Sequence, residues 1–468
     1  MTAFLRQYRQ WLPELALGLF AAFFFIRELG SFPASWSDEG LFITVAKMVA
    51  GGRGYVLPLL GEDWAYPYFL GVGPTLIYPA ALSIKLFGLS VTAARVPMVL
   101  WLSVSVALFY LWTRKNIGRR EALLACWLLV SLSAFVNTGK PVLGEIPGFA
   151  FVLGALLTMK KHSERPIISG LLLGLAIITK ITYGILLPAL GVAWMVALAR
   201  RRWPEAGRLT VIGLLAFGSF LAWHAVELVH TPESGLLEEI HNFVFGGGGN
   251  ETFFFLRHRT ALLLTLPYLA YGLFFTLGMM GLWQSRKRLG EALTITLGVS
   301  IGLFTLYFFN SPGWYRLLLP GHLLLLPFVP SGAFTIVGKR LGTAILAIVI
   351  LAQTYWQFDH RGSSTSTGGE ETAAYVEQHF ADRDIIIVPT EVFARLPLHD
   401  RWLFLIPGLS FSLPESYRTP TPEQRCFPVI DKINDEQRIS LGDRARTIAG
   451  SYVLIDPPAD CAAPVPVP

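Results

Sequence analysis

Residues 167–199 are IISGLLLGLAIITKITYGILLPALGVAWMVALA, an apolar stretch that contains one charged side chain, Lys180. Divided just after Lys180, the stretch gives two segments, 167–181 and 182–199, that approach the roughly 20 residues an α-helix needs to cross about 30 Å of hydrocarbon. Strands of a membrane β-barrel would be about ten residues long and polar at every second position. Similar runs recur along a chain that is 53% hydrophobic and 15% charged. The sequence therefore predicts an all-α polytopic membrane protein.

Basic residues gather between the apolar runs and predict the orientation of the chain. The positive-inside rule places Lys- and Arg-rich segments next to membrane spans in the cytoplasm. These segments are Arg6/Arg9, Arg114 to Arg120, Lys160 to Arg165, Arg200 to Arg208, Arg286 to Arg288 and Lys339/Arg340. Because such clusters account for the net charge of +6, we predict no nucleic-acid partner.

Between successive basic clusters the chain must cross the membrane an even number of times. This parity assigns residues 69–87, which contain Pro74, Pro79 and Lys85, to an interfacial or re-entrant helix rather than to a span. Residues 31–92 then form one long external segment, and about eleven spans remain. The predicted spans are 13–30, 95–113, 121–137, 142–159, 167–181, 182–199, 209–228, 261–283, 290–309, 315–335 and 341–358.

The sequence divides into two predicted parts. Residues 1–358 form a transmembrane module with a cytoplasmic N-terminus, and residues 359–468 form a small extracytoplasmic α/β domain with a proline-rich tail. GEETAAYVEQHF (369–380) is typical of a helix, whereas DIIIVP (384–389) and SYVLIDP (451–457) are typical of buried strands. We expect the protein to lie in a bacterial inner (plasma) membrane.

Two of the three cysteines, Cys426 and Cys461, lie in the part predicted to be outside the cytoplasm. Disulfides persist in such oxidising surroundings. A bond closing a loop of about 35 residues would stabilise a small domain by roughly 3–4 kcal/mol. We therefore predict a Cys426–Cys461 disulfide, and the alternative is two unrelated thiols.

Ionisable residues are scarce within the predicted spans and gather at their external ends. Charge inside lipid is costly, so such positions indicate function. A secondary transporter would more often carry them near the middle of the membrane. The sequence therefore predicts a site at the external membrane surface. The residues are Asp38, Glu39, Lys140, Glu145, Lys180, His224, Glu227 and Arg316.

The sharpest local motif is WSDEG, residues 36–40, directly after the first span. One interpretation is structural: Ser37 or Asp38 caps a helix over 39–50, and the acids suit the positive end of its dipole. The other interpretation is catalytic, because two adjacent acids just beyond a first span match a known motif of membrane enzymes.

Over roughly residues 10–360 the chain resembles the GT-C superfamily of membrane glycosyltransferases, in particular the branch of protein O-mannosyltransferases and the lipid A aminoarabinose transferase. The resemblance implies transfer of a sugar from a polyprenyl-phosphate carrier to an acceptor, with inversion, on the extracytoplasmic side. It also implies two membrane-lying helices in the first loop. The motifs that carry it, in order, are SDEG (37–40), LFGLSVTAARVP (86–97), RKNIGRREALLA (114–125), GKPVLGEIPG (139–148), LLLGLAIITKITYGILLPAL (171–190) and WYRLLLP (314–320).

The resemblance also implies roles for individual residues. Asp38 is the catalytic carboxylate and base, Glu39 completes the acidic pair, and Glu145 matches a second acidic position. One departure from the family pattern is GVGPT (71–75), which replaces the usual basic or histidine residue followed by two prolines. The residues predicted to bind the donor phosphate are Lys140, Lys180, Arg316 and Lys85. For Lys85 and Lys180 the alternative is an interface anchor that snorkels to the membrane surface.

The loop 229–260 supplies candidates for the acceptor side, namely His241, Arg257 and Arg259, with GGGGN (246–250) as a hinge. No residue spacing indicates a structural metal, although a divalent cation bridging acids and phosphate is compatible with the sequence. Neither the sugar nor the acceptor (lipid, protein or glycan) follows from the sequence. A transporter or flippase of lipid-linked sugars is the alternative function, but a flippase has no need of the Asp38-Glu39 pair.

Overall fold

The computed structural model describes residues 11–159, 165–230, 253–360, 363, 365–407, 415–458 and 461. Most of these residues are helical, as the sequence predicts. The helices are α1 (Leu12–Ile26), α2 (Ser37–Ala50), α3 (Pro74–Phe87), α4 (Val91–Asn116), α5 (Arg119–Ser131), α6 (Ser133–Gly139), α7 (Glu145–Thr158), α8 (Pro166–Thr179), α9 (Leu186–Ala199), α10 (Trp203–Val229), α11 (Phe254–His258), α12 (Leu266–Leu289), α13 (Glu291–Asn310), α14 (Tyr315–Leu325), α15 (Val329–Phe358), α16 (Gly368–His379), α17 (Thr390–Phe393) and α18 (Asp435–Leu441).

Apolar helices occupy all the segments that the sequence predicts as spans. In the described part of the chain, six helical segments are long and apolar enough to cross a membrane, and the bent pair α5–α6 makes a seventh. The last of the six, residues 315–358, corresponds to two predicted spans because it is broken at Gly338, where φ is 78°. The shorter apolar helices α1, α7 and α8 lie at the other three predicted spans. The protein is a multi-pass membrane protein, and the figure of eleven crossings depends on these short helices.

The segment 31–92 contains two helices and a hairpin between them. Helix α2 packs against α3, and strands β1 (Val56–Leu59) and β2 (Glu62–Ala65) pair antiparallel. Helix α4 begins directly afterwards, with the Ser90 hydroxyl accepting a hydrogen bond from the Ala93 N–H as an N-cap. The two helices that the sequence predicts in this segment are therefore present.

The C-terminal region forms a five-stranded mixed sheet in the order β4-β3-β5-β7-β6. Strand β3 is parallel to β4 and β5, whereas β7 is antiparallel to β5 and β6. The small α/β fold predicted for this region is confirmed. Its strands are β3 (Ile385–Ile387), β4 (Trp402–Phe404), β5 (Val429–Lys432), β6 (Ala445–Ala449) and β7 (Tyr452–Ile455).

Cys426 and Cys461 are joined by a disulfide, with their Cα atoms 5.4 Å apart. The bond connects the turn before β5 to the segment that follows β7. It therefore joins the chain at the end of the sheet where β5 begins and the antiparallel strand β7 ends.

The C-terminal sheet and the segment 31–92 share one hydrophobic core. The Leu60 N–H donates to the Phe404 carbonyl at 2.8 Å, and the Thr390 hydroxyl donates to the Ser37 carbonyl at 2.6 Å. A side chain at Gly40 would place its Cβ 2.5 Å from the Glu391 nitrogen, so only glycine permits this approach of α2 to α17. The start of α2 is thus held by residues from the far end of the chain.

Lys47 forms a second connection between α2 and the C-terminal region. Its buried ammonium donates to the carbonyl oxygens of Phe393 at 2.7 Å and Leu396 at 2.9 Å, and it lies 4.1 Å from the centre of the Phe393 ring. Burial lowers the pKa of Lys47 to about 7. The two carbonyl groups at the end of α17 therefore find their hydrogen-bond partner on α2.

Candidate functional site

A cavity of about 400 Å³ opens at one end of the helix bundle, where several helices begin or end. Its wall contains four of the residues that the sequence predicts at the site: Asp38, Glu145, Lys180 and Arg316. They come from the starts of α2, α7 and α14 and from the end of α8. The remaining lining residues are Phe69, Leu70, Gly71, Ile181, Thr182, Tyr307, Asn310, Ser311, Pro312, Trp314 and Leu317.

Asp38 lies in the first turn of α2 and forms an ion pair with Arg316. The distance from Arg316 Nη1 to Asp38 Oδ2 is 2.6 Å, and the side chains are 14% and 30% exposed. Side-chain capping does not explain the motif, because in the described structure no capping side chain accepts a hydrogen bond from the N–H groups at the start of α2. The Asp38 carboxylate faces the cavity and remains reachable from it.

The Arg316 guanidinium contacts two indole rings. Its central carbon is 4.4 Å from the centre of the Trp36 ring and 4.9 Å from that of the Trp314 ring. Its Nε is buried and finds no hydrogen-bond partner among the described residues. An arginine that contacts aromatic rings and keeps an unused donor edge among the described residues is suited to bind a carboxylate or a phosphate through two parallel N–H groups.

Glu145 and Lys180 lie next to each other in the wall of the same cavity. Glu145 is 2% exposed, and neither of its carboxylate oxygens has a hydrogen-bond partner in the described structure. The Lys180 ammonium lies 3.9 Å from Glu145 Oε1, too far for a hydrogen bond. Burying a carboxylate without hydrogen bonds costs free energy, and buried polar groups in folded proteins are usually paired. The Glu145 carboxylate and the Lys180 ammonium can therefore still form hydrogen bonds to a ligand in the cavity.

The GVGPT segment, which departs from the family pattern, lies against the end of α8 beside Lys180. The Gly71 carbonyl accepts a hydrogen bond from the Ile181 N–H at 3.2 Å, and the Thr75 and Thr179 hydroxyls lie 2.6 Å apart. At Gly73 a Cβ would meet the Ile178 carbonyl oxygen at 2.6 Å, so the close approach requires glycine. The segment contributes backbone contacts that fix the Lys180 turn and no cation of its own.

Glu39 turns away from the cavity into a fully buried pair with Arg95. Two guanidinium nitrogens bind the two carboxylate oxygens at 2.6 and 2.7 Å, and the Val142 N–H adds a third bond at 3.0 Å. Burial raises the pKa of Glu39, but the charge and hydrogen bonds of Arg95 outweigh that effect and hold the pKa below its ordinary value. Arg95 also donates to the carbonyls of Leu29 and Pro33, so this pair fixes the turn between α1 and α2.

Arg95 was not singled out from the sequence, although it lies within the LFGLSVTAARVP motif. The signal was its charge inside the apolar α4, since a charge in such a helix requires a partner. Tyr307 and Asn310 line the cavity as well, and their positions at the end of α13 carried no comparable signal.

The other predicted site residues lie away from this cavity. Lys140 is buried in a separate cluster, where its ammonium donates to the carbonyls of Arg27 at 2.5 Å and Phe32 at 3.5 Å. Lys85 is exposed in the last turn of α3. Arg257 and Arg259 are exposed around α11, and His224 pairs with Glu227 at 3.0 Å. His241 and the GGGGN hinge lie outside the described residues.

Among the described residues, no group of three or more His, Cys, Asp and Glu side chains is arranged to hold a metal ion. Asp38 and Glu145 are the acids in the cavity wall, and each lies beside a cation. A divalent ion that bridges acids and phosphate stays a prediction from the sequence.

Comparisons with known proteins find one family model that matches part of the chain and several solved structures with a similar fold. The family model described as dolichyl-phosphate-mannose-protein mannosyltransferase matches residues 72–223, whereas no curated protein sequence matches. ArnT from Cupriavidus metallidurans, bound to undecaprenyl phosphate, has a TM-score of 0.65 at 12% identity, covering 97% of this chain and 99% of that chain.

Two structures from Archaeoglobus fulgidus are similar at greater distance. The oligosaccharyltransferase in its apo form has a TM-score of 0.54 at 12% identity, covering 91% of this chain and 70% of that chain. The oligosaccharyltransferase AglB, in complex with an inhibitory peptide and a dolichol-phosphate, has a TM-score of 0.54 at 13% identity, covering 89% and 65%. The resemblance to the GT-C superfamily inferred from the motifs is confirmed, and the chain has the GT-C fold.

Proposed function

We propose that this GT-C membrane protein is a glycosyltransferase that moves a sugar from a polyprenyl-phosphate-linked donor to an acceptor, with inversion. The observation that carries the proposal is the cavity in which one reachable carboxylate, Asp38, lies beside the cations Arg316 and Lys180. ArnT, which has a similar fold, is described in complex with undecaprenyl phosphate, and AglB with dolichol-phosphate.

The chemistry of such a donor matches these side chains. The acceptor oxygen forms a bond to the anomeric carbon while the bond from that carbon to the phosphate oxygen breaks. Asp38 takes the proton of the acceptor hydroxyl, a contribution typically worth roughly 10²–10⁴-fold in rate. The phosphate gains one negative charge as it leaves, and Arg316 and Lys180 stabilise that charge within a partly dehydrated cavity. A polyprenyl phosphate is a good leaving group, so no general acid is required.

The position of the cavity suits a donor that stays in the membrane. It lies at the ends of apolar helices, and Phe69, Leu70, Ile181 and Leu317 supply apolar wall beside the charged residues. The basic clusters predict that this end is extracytoplasmic, in a bacterial inner membrane, together with the C-terminal sheet. The phosphate would then lie at the interface while the prenyl chain remains in lipid.

The test follows the release of undecaprenyl phosphate, because release reports cleavage of the sugar–phosphate bond whatever the acceptor. The purified protein in nanodiscs is incubated with a panel of undecaprenyl-phosphate-linked hexoses and pentoses, with a bacterial membrane extract as acceptor source. We expect release with at least one donor, and release lowered by roughly 10²–10⁴-fold with Asp38→Asn. Translocation of an intact donor between leaflets without release would support the flippase alternative and contradict the proposal.

A further inference from the structure

We infer that Trp36 and Trp314 are positioning residues that hold the Arg316 guanidinium as a bridge, with Nη1 on Asp38 and the Nε–Nη2 edge presented to the donor phosphate. The inference rests on the proposed function and adds to it a fixed position of the Arg316 guanidinium relative to Asp38 and the donor phosphate. It assigns one arginine to both ends of the reaction, the base and the leaving group.

The first observation concerns the hydrogen-bond partners of the Arg316 guanidinium. A guanidinium has five N–H donors in a planar fork. Among the described residues Arg316 makes one hydrogen bond, through Nη1 to Asp38, while its Nε is buried without a partner. Buried polar groups in folded proteins are rarely left unpaired, so the Nε–Nη2 edge requires an acceptor that the described protein does not supply. Two parallel N–H groups on one edge match two oxygens of a phosphate.

The second observation is the arrangement of the two indoles. Trp36 precedes Asp38 by two residues, and Trp314 precedes Arg316 by two residues, so each partner of the ion pair has a tryptophan just before it. Both rings lie within 5 Å of the Arg316 central carbon. Rings beside the guanidinium limit its rotation, and their π-faces attract the cation. Asp38 and the free edge are therefore held at a fixed relative position.

The third observation is the charge balance of the cavity. Asp38 and Glu145 carry two negative charges, and Arg316 and Lys180 carry two positive charges. A phosphate entering this neutral cavity must gain hydrogen bonds that no carboxylate already occupies. The unused edge of Arg316 and the Lys180 ammonium, which has no hydrogen bond to Glu145, provide them. Phosphate can thus bind without displacing Arg316 from Asp38.

The bridge makes a prediction that charge alone does not make. Lysine keeps the positive charge but has no planar edge, so it cannot bind Asp38 and phosphate at fixed positions. We expect Arg316→Lys to weaken binding of undecaprenyl phosphate by at least roughly tenfold, close to the loss for Arg316→Gln. Trp36→Leu and Trp314→Leu should each weaken it by roughly 3- to 30-fold. Trp36→Phe and Trp314→Phe, which keep a π-face, should restore most of the binding.

The experiment measures the Kd of undecaprenyl phosphate for the full-length protein in nanodiscs, without any turnover. Trp283→Leu is the matched control, because Arg286 lies 4.0 Å from that indole on α12, away from the cavity. It should leave the Kd unchanged. Circular dichroism and thermal unfolding identify any variant that fails to fold, and the Phe variants then carry the test.

Two kinds of failure are distinguishable. If Lys180→Gln weakens binding but Arg316→Lys and both Trp→Leu variants bind like the unmodified protein, the bridge is wrong and the proposed function stands. If the unmodified protein binds undecaprenyl phosphate no better than a neutral lipid, the donor assignment is wrong and the bridge falls with it.

Discussion

Asp38 and Glu39 are consecutive carboxylates in the first turn of α2, and each binds an arginine, but their surroundings differ. Glu39 and Arg95 are 0% exposed, and three hydrogen bonds reach the Glu39 carboxylate. Asp38 and Arg316 are 30% and 14% exposed, and one hydrogen bond of 2.6 Å joins them beside a cavity. The Glu39 side of α2, the closed side, is covered by other residues of the protein, and the Asp38 side, the open side, borders the cavity, where a ligand can reach it.

The difference separates a structural ion pair from the carboxylate that we propose as the catalytic base, on the same turn of α2. Consecutive residues of an α-helix point about 100° apart, so adjacent side chains can face different surroundings. In the described structure, three hydrogen bonds occupy most of the roughly four acceptor positions of the buried Glu39 carboxylate, whereas one hydrogen bond from Arg316 reaches the Asp38 carboxylate beside the cavity. The two arginines are likewise unequal, because Arg95 also donates to two carbonyl groups, whereas the Arg316 Nε has no hydrogen-bond partner in the described part of the chain.

The largest expected effect is on turnover and concerns the open side. Asp38→Asn should lower the release of undecaprenyl phosphate by roughly 10²–10⁴-fold, because the amide cannot take the acceptor proton. The free energy of unfolding should change by at most about 1 kcal/mol, since the pair is partly exposed. Both are measured on one nanodisc preparation. Near-normal release from a well-folded Asp38→Asn protein would remove Asp38 from the mechanism.

The closed side should show the reverse pattern. Arg95→Met leaves the Glu39 charge buried without its partner and should destabilise the protein by about 3–5 kcal/mol. The double variant Glu39→Gln/Arg95→Met should recover part of that loss, because no buried charge remains. Thermal unfolding in nanodiscs measures both. If Arg95→Met were as stable as the unmodified protein, the closed pair would not be the scaffold that its hydrogen bonds indicate.

Removing the disulfide tests whether the stability of the C-terminal sheet affects α2, with which the sheet shares a hydrophobic core. Replacing Cys426 and Cys461 with serine should cost roughly 2–4 kcal/mol of local stability in the C-terminal sheet. Hydrogen exchange should increase over residues 445–455 and, through the shared core, over α2. Non-reducing mass spectrometry after alkylation checks the bond directly. Free alkylation of both thiols before reduction would contradict the pairing, and with it one support for the extracytoplasmic placement.

The smallest effect is a pH dependence at Lys47, on the closed side. Burial holds its pKa at about 7, well below the ordinary lysine value. Between about pH 7 and 10 the unfolded chain therefore binds more protons than the folded chain, and the free energy of unfolding rises with pH. Below pH 7 both states are protonated, and the contribution no longer changes.

Thermal unfolding at pH 7 and pH 9 measures this slope. Lys47→Met should make the slope shallower, whereas Lys115→Met, at an exposed position in the last turn of α4, should leave it unchanged. If the free energy of unfolding changed equally with pH in the unmodified protein and in Lys47→Met, the Lys47 ammonium would stay charged beside the Phe393 and Leu396 carbonyl groups, and the prediction would be wrong.

Apolar run lengths and basic clusters were enough to predict the helices, because both depend on local composition. Counting crossings also brought Asp38, Glu145, Lys180 and Arg316 to one end of the bundle, since parity decides which helix ends are neighbours. Counting membrane crossings predicts the end of the helix bundle at which a residue lies, but it does not predict where the side chain of that residue points. Lys140 was therefore grouped with Lys180, although it binds the Arg27 carbonyl in a separate cluster.

Contacts between distant segments had no local signal. Glu39 looked equivalent to Asp38 because nothing near it in sequence identifies Arg95 as its partner. The contact from Thr390 to the Ser37 carbonyl joins residues 353 positions apart, and neither residue is unusual in its own segment. Such partners follow from the packed fold and not from periodicity.

The contact between Thr390 and Ser37 also has a consequence for the order in which the protein is made. The segment that holds Asp38 leaves the ribosome early, but the strands and helix that complete its core come from beyond residue 384. Domains synthesised at about 5–20 residues per second generally fold as units once their chain is complete. The hydrophobic core around the segment 31–92 therefore stays incomplete for roughly 20–70 seconds while the rest of the chain is synthesised. A chain that stops after its last membrane helix would contain every charged residue of the cavity and still lack the core that orients them.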